Sequence, residues 1–185
     1  MKTPVAQSVG LALALTVAWP FASQADDLEP RKLWTSVGST ATLSRPDLDK
    51  VAFSGPSISF ATGVAGQIVA RYNVVATDGL LSEPNSRPGI GLTVLYGDQG
   101  AGSSFTATLI RTSIINEGAS ATVVSFNSDN FPQRTGIQLN HVGACRHRFN
   151  FDDNAYHIEV VMTRAVGAPT PLLKALQLTA IPCID

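Results

Sequence analysis

The stretch Tyr156–Arg164 constrains the fold more than any other part of the chain. Tyr156, Ile158, Val160 and Met162 fall on one side of an extended backbone, and His157, Glu159, Val161 and Thr163 fall on the other. A period of two is that of a β-strand with one buried face; a helix would scatter the same residues around its axis. After residues 165–171, which hold Gly167, Pro169 and Pro171, alternation returns with Leu176, Leu178 and Ala180 opposite Gln177, Thr179 and Ile181. Proline cannot donate to a ladder, so two separate strands are expected, paired as an antiparallel hairpin with a long loop.

The pattern recurs along the chain. Residues 67–77 place Ile68, Ala70, Tyr72, Val74 and Ala76 on an apolar face and Val69, Arg71, Asn73, Val75 and Thr77 on a mixed one. Shorter strands are expected at 38–43, 50–53, 57–61, 91–96, 105–112, 121–126, 136–142 and 145–151. Residues 45–49 are expected to form a turn or one helical turn with Ser44 placed to cap it. About ten short strands, punctuated by Gly, Pro, Asn and Asp, imply an all-β fold: an antiparallel two-sheet β-sandwich, with the jelly roll as one form of it. The connection 78–88 is long for a compact domain, and loops of that length often carry function.

The first residues have the order of an export signal. Lys2 supplies the charge, Val9 to Val17 the apolar run, and Ser23, Gln24 and Ala25 the cleavage site, so residues 1–25 are expected to be removed. The run is shorter than the roughly 20 residues that a membrane span needs. Cleavage leaves 185 − 25 = 160 residues, read as a flexible leader at 26–32 and one domain at 33–185. Loss of Lys2 leaves 13 − 1 = 12 Lys and Arg against 14 Asp and Glu, a net charge of −2. Such a surface draws in neither nucleic acid nor anionic lipid by bulk electrostatics. The expected destination is the periplasm or the extracellular space. There the chain's two cysteines, Cys145 and Cys183, are expected to form a disulfide. Closing 183 − 145 = 38 residues, it would stabilise the fold by about 4 kcal/mol in the chain-entropy account.

Several residues offer chemistry, each with a plainer alternative. Asp98, Asp129, Asp152 and Asp153 sit in loops rich in oxygen donors, which suits calcium as a cofactor and equally suits ordinary turns. Glu159 with Asp152 or Asp153 offers the carboxylate pair of a small secreted hydrolase, or Glu159 pairs with an arginine across a sheet. His147 and His157 are candidate metal ligands if their strands are neighbours, His141 being the third histidine; otherwise they are polar-face residues. Arg146 and Arg148, on one face of the expected 145–151 strand, with Arg71, Arg111 or Arg164 nearby, would make an anion patch or pair with acidic neighbours. Tyr72 and Tyr156 read as core; Trp34 and Phe131 are the aromatics left for sugar stacking, with burial the better expectation for Trp34. No nucleophile elbow, P-loop or dinucleotide fingerprint occurs.

Whole segments are also familiar. Residues 68–74 (IVARYNV), 122–132 (TVVSFNSDNFP) and 145–164 (CRHRFNFDDNAYHIEVVMTR), followed by a short apolar strand and a final Cys, resemble small exported bacterial β-sandwich proteins. The resemblance implies an exported sandwich and attaches no activity to it. The expected function is therefore a non-catalytic binding or structural role, with a glycan or a cell-surface protein as partner. The alternatives are the secreted hydrolase above and an assembly subunit that acts through an edge strand.

Overall fold

The structure is a computed structural model that describes residues 34–77, 80, 88–98 and 100–182. The expected signal and leader, Cys183 and most of the 78–88 connection lie outside the described residues. Strands β1 (Trp34–Val37), β2 (Thr42–Leu43), β3 (Val51–Ser54), β4 (Ser57–Phe60), β5 (Gly66–Val74) and β6 (Pro88–Gly97) come first. They are followed by β7 (Ser103–Ser113), β8 (Ser120–Asn127), β9 (Gln138–Cys145), β10 (Asn154–Arg164) and β11 (Leu172–Pro182). One helical turn, α1 (Arg45–Leu48), and 3-10 turns at Gly38–Thr40 and Ser128–Asn130 complete the described elements. Among the described residues no helix is long and apolar enough to cross a membrane.

The strands form two antiparallel sheets, a β-sandwich as the alternation predicts. A six-stranded sheet has the order β3-β4-β11-β6-β9, with β1 also on β11; a five-stranded sheet has the order β2-β5-β10-β7-β8. Between the sheets lie Ile68, Ala70, Tyr72 and Val74 of β5, Ile158, Val160 and Met162 of β10, and Leu176 and Leu178 of β11. Each is a position that the period of two assigns to the apolar face. Trp34 is buried as well.

Four expectations are corrected. β10 and β11 are not a hairpin: β10 pairs with β5 and β7, whereas β11 pairs with β1, β4 and β6 in the other sheet. Alternation shows which face of a strand is buried and is silent about its neighbour. The strand expected at 136–142 is β9, which runs on to Cys145, and residues 146–151, expected as part of a further strand, form none. Arg146 has a φ of 67°, a left-handed conformation that breaks the extended chain, so Arg146 and Arg148 do not share a strand face. Gly38–Thr40 is a 3-10 turn in place of the start of a strand, and it packs so close to β11 that only glycine fits at 38: a Cβ there would sit 2.2 Å from the Leu173 carbonyl oxygen. Ser44 precedes α1 as expected, but its hydroxyl donates to the Asp47 carboxylate (2.7 Å) instead of capping a backbone amide.

The same Gly38 ties the sheets together. Its carbonyl accepts the buried phenol of Tyr72, which reaches across from β5, at 2.8 Å. Burial pushes the Tyr72 phenol well above its ordinary value of 10.0. The folded protein thus keeps a proton that an unfolded chain releases near pH 10, so this contribution is complete below that pH and is lost as pH rises beyond it. Tyr72→Phe is expected to cost about 1–2 kcal/mol near neutral pH, leaving the Gly38 carbonyl without its donor. Urea denaturation at neutral pH and above pH 10 should also show a smaller alkaline loss in the variant than in the wild type.

Candidate functional site

The pairing of β10 with β7 defines the two ends of the five-stranded sheet: Asn154 lies opposite Ser113 at one end and Arg164 opposite Ser103 at the other. At the Arg164 end the chain leaves a cleft of about 420 Å³. The turn residues Ala101 and Gly102, Ser103 and Ser104 of β7, Asp129, Gln133, and residues 163–165 line it.

Local chemistry fixes these walls. Gly102 has a φ of 88°, and a Cβ there would press on Ala165 and Ala168 at 3.2 and 3.1 Å, so glycine lets the 100–102 turn lie against the 165–168 turn. The Ala165 amide donates to the Gly102 carbonyl at 2.6 Å. Asp98 accepts the Ser103 hydroxyl at 2.5 Å, and its carbonyl accepts the Gln138 amide at 3.3 Å. The Ser128 hydroxyl accepts the Phe105 amide (2.9 Å) and Asn127 Oδ1 the Asp129 amide (3.0 Å), which lock the 128–130 turn onto β7. Phe131 then stacks on Phe126, with ring centroids 5.1 Å apart. Arg164 is a clamp: Nε donates to the Ala168 carbonyl (2.9 Å) and Nη1 to the Val64 carbonyl (2.7 Å).

Inside this frame four side chains are uncommitted. Ser104 and Thr163 face each other across β7 and β10. With Asp129 and Gln133 they contribute two hydroxyls, a carboxylate and an amide, and none of the four side chains hydrogen-bonds to another described residue. Asp129 was legible as a loop carboxylate. Ser104, Thr163 and Gln133 were not, since only the strand register brings them together.

The other candidate residues are placed elsewhere. Asp98 is 2% exposed, its carboxylate turned to Ser103. Asp152 and Asp153 lie beyond the Asn154 end, about 33 Å away along β10 at the usual rise per residue. They belong to a turn built on Asn150, whose Oδ1 accepts the amides of Asp152 (3.0 Å) and Asp153 (3.2 Å), and whose Nδ2 donates to the Asp153 carboxylate (2.8 Å). The aspartates considered for calcium therefore do not converge, and among the described residues no three His, Cys, Asp or Glu side chains gather as metal ligands. Glu159 pairs with Arg71 across β10 and β5, with Nη2 at 2.7 Å and Nε at 2.9 Å, the cross-strand alternative drawn from the sequence. It stands about 20 Å from Asp153 by strand rise. Glycosidase carboxylates stand roughly 5–9.5 Å apart, so this pair lacks that geometry. Of the arginines considered for an anion patch, Arg71 is held by Glu159 and Arg164 by carbonyls, whereas Arg111 lies near His147, between Arg146 and Arg148 in the chain. Cys145 ends β9 opposite Gly89 and is not a free thiol.

His147 and His157 do not meet. His157 is on the outer face of the sheet, whereas His147 packs edge-on against Phe149 (5.7 Å) and Tyr156 (5.8 Å), with a buried Nε2 that has no hydrogen-bond partner among the described residues. Burial, and then the nearby Arg111 cation, lower the pKa of His147 from its ordinary value of 6.5. A lowered histidine gives stability that is present above pH 6.5 and lost as pH falls, because the unfolded chain takes up the proton first. Wild type is expected to lose stability between pH 7.5 and pH 5, and His147→Phe to lose less of it, read by denaturant unfolding at both pH values.

A second, smaller hollow of about 120 Å³ lies on the outer face of the six-stranded sheet among Thr35, Thr93, Leu95, Leu139, Ala175 and Gln177. Its lining is mostly aliphatic, and the Gln177 amide donates to the Thr35 hydroxyl at 3.4 Å.

No family profile and no curated protein matches the sequence. Among solved structures, the chain is similar to a xylan-binding domain of carbohydrate-binding module family 22, at 15% identity and a TM-score of 0.38 over 81% of this chain and 89% of that one. It is similar to a family 30 carbohydrate-binding module at 16% identity and a TM-score of 0.40, over 82% and 84% of the two chains. A family two carbohydrate esterase from Cellvibrio japonicus matches 83% of this chain at 13% identity and a TM-score of 0.37, and this chain spans 36% of that protein's length. Likeness at this level concerns the sandwich arrangement and assigns nothing to the cleft.

Proposed function

We propose that the protein is an exported, non-catalytic glycan-binding sandwich whose ligand occupies the cleft at the Arg164 end of β10, with Cys145 and Cys183 joined as a disulfide. The carrying observation is the set Ser104, Asp129, Gln133 and Thr163: four polar side chains without described partners, converging on about 420 Å³. Hydroxyl, amide and carboxylate groups donate to and accept from the ring hydroxyls of a sugar, and the volume falls within the roughly 300–1,000 Å³ of small-molecule sites. Strands and a hydrogen-bonded turn hold three of the four, so little is lost in ordering them on binding.

A glycan array probed with the oxidised protein, with calcium and again with a chelator, tests this. Binding is expected in both conditions, because Asp129 is the one carboxylate that lines the cleft. Asp129→Ala/Gln133→Ala is expected to weaken the strongest array signal by about tenfold or more, as loss of a hydrogen bond to a charged group implies. A folded protein that binds no glycan, or a double variant that binds as well as wild type, would overturn the reading. Binding abolished by chelation would instead make a calcium ion part of the site.

A further inference from the structure

Sugars differ in charge, and the Arg164 end of the molecule treats the two signs unequally. Asp129 is exposed in the cleft, and its carboxylate has no hydrogen-bond or salt-bridge partner among the described residues. A second carboxylate stands behind the wall: Asp98, 2% exposed, accepts the hydroxyl of the lining residue Ser103 at 2.5 Å. Both carboxylates act on one neighbouring group. Burial raises the Tyr96 phenol above its ordinary value of 10.0, the hydrogen bond from Asn140 opposes that rise, and Asp98 and Asp129 each add to it. A phenol raised by two carboxylates reports a negative field on this side of the sandwich.

Among the described lining residues Arg164 is the one cation, and its donors are committed. A guanidinium grips a carboxylate or sulfate best with paired donors such as Nε and Nη2. Here Nε is spent on the Ala168 carbonyl at 2.9 Å and Nη1 donates to the Val64 carbonyl at 2.7 Å, so neutral acceptors hold the place an anion needs. Arg134, beside Gln133 in the chain, is exposed and is not part of the wall.

We propose that Asp129 is a specificity-determining residue that keeps acidic sugars out of the cleft, so that the glycan bound there carries no carboxylate, sulfate or phosphate on the rings it inserts. This rests on the glycan-binding reading. A sugar hydroxyl can donate to the Asp129 carboxylate; an ionised acid offers that carboxylate only acceptors and a like charge. Ser104, Gln133 and Thr163 have donors for sugars of either kind, so the discrimination falls on Asp129. Rejection by an unanswered like charge is a common source of specificity.

The test uses array sugars in matched pairs that differ only in charge: glucose and glucuronic acid, galactose and galacturonic acid, lactose and its sulfated form. The pair containing the strongest signal is titrated by calorimetry at roughly 10 mM and 1 M salt, where the Debye length is about 30 and 3 Å. At low salt the neutral member is expected to bind at least about tenfold more tightly than the acidic one, and the gap is expected to narrow at high salt. Asp129→Asn is expected to narrow the gap at low salt, whereas Asp129→Glu, which keeps the charge, is expected to preserve it. An acidic member bound as tightly as the neutral one, or a gap as wide in Asp129→Asn as in wild type, would overturn this inference and leave the glycan-binding reading standing. A folded protein that binds neither member of any pair would remove that reading, and this inference with it.

Discussion

Phe126→Ala is expected to lower the unfolding free energy by about 3–5 kcal/mol, the range for emptying a buried aromatic position. Phe126 is 0% exposed and joins both sheets: it stands edge-on to Tyr96 of β6 at 5.2 Å and to Phe105 of β7 at 6.3 Å. Tyr96 and Phe105 lie on β6 and β7, each paired on both sides, so their backbones cannot collapse to fill the space. Phe131 stacks on the other side of Phe126 and follows directly on the 128–130 turn that presents Asp129. The substitution therefore acts twice: it destabilises the sandwich and frees one wall of the cleft. Guanidinium denaturation followed by tryptophan fluorescence reads the first effect. The second is read as weakened glycan binding at a temperature where the variant is still folded, whereas Phe105→Leu, which keeps the backbone bond from residue 105 to Ser128 and leaves the stack of Phe126 on Phe131 in place, is expected to bind as wild type does.

Asp47→Ala is expected to cost about 2–3 kcal/mol, because a carboxylate that is 7% exposed accepts from Ser44 at 2.7 Å, Lys50 at 2.8 Å and the Val69 amide at 3.3 Å. Burial by itself raises the pKa of this carboxyl; the bonds from Lys50, Ser44 and Val69 outweigh it and hold the group below its ordinary value of 3.8. Its stabilisation is accordingly complete above that value and is lost as pH falls through the lowered one, so Asp47→Ala is expected to show a smaller acid loss than wild type. The same change strips the guard from β5, leaving the Val69 amide open to another strand. Concentration-dependent light scattering is expected to rise in this variant and to stay at the wild-type level in Asp47→Asn, whose side-chain oxygen still accepts from Val69.

Much of the fold was legible because two-residue alternation is a local property. Tyr72 and Met162 are core residues whichever strands lie beside them, and Glu159 opposite Arg71 needed only one polar face meeting another. Where the fold depends on distant partners, the sequence misleads. Residues 145–151 alternate as a strand does, yet the left-handed Arg146 turns the chain so that His147 and Phe149 pack against Tyr156. β10 and β11 look like a hairpin and belong to different sheets, since nothing in either segment names its neighbour. The cleft follows the same rule: Asp129 is conspicuous in its loop, while Ser104 and Thr163 become a pair only through the register of β7 against β10.

Ligand binding in the cleft is tested most directly by NMR titration of the ¹⁵N-labelled protein with the oligosaccharide that gives the strongest array signal. Shifts confined to the amides of residues 101–104, 129–133 and 163–165 are predicted. Shifts centred on Thr93, Leu139 and Gln177, around the hollow on the opposite sheet, would contradict it.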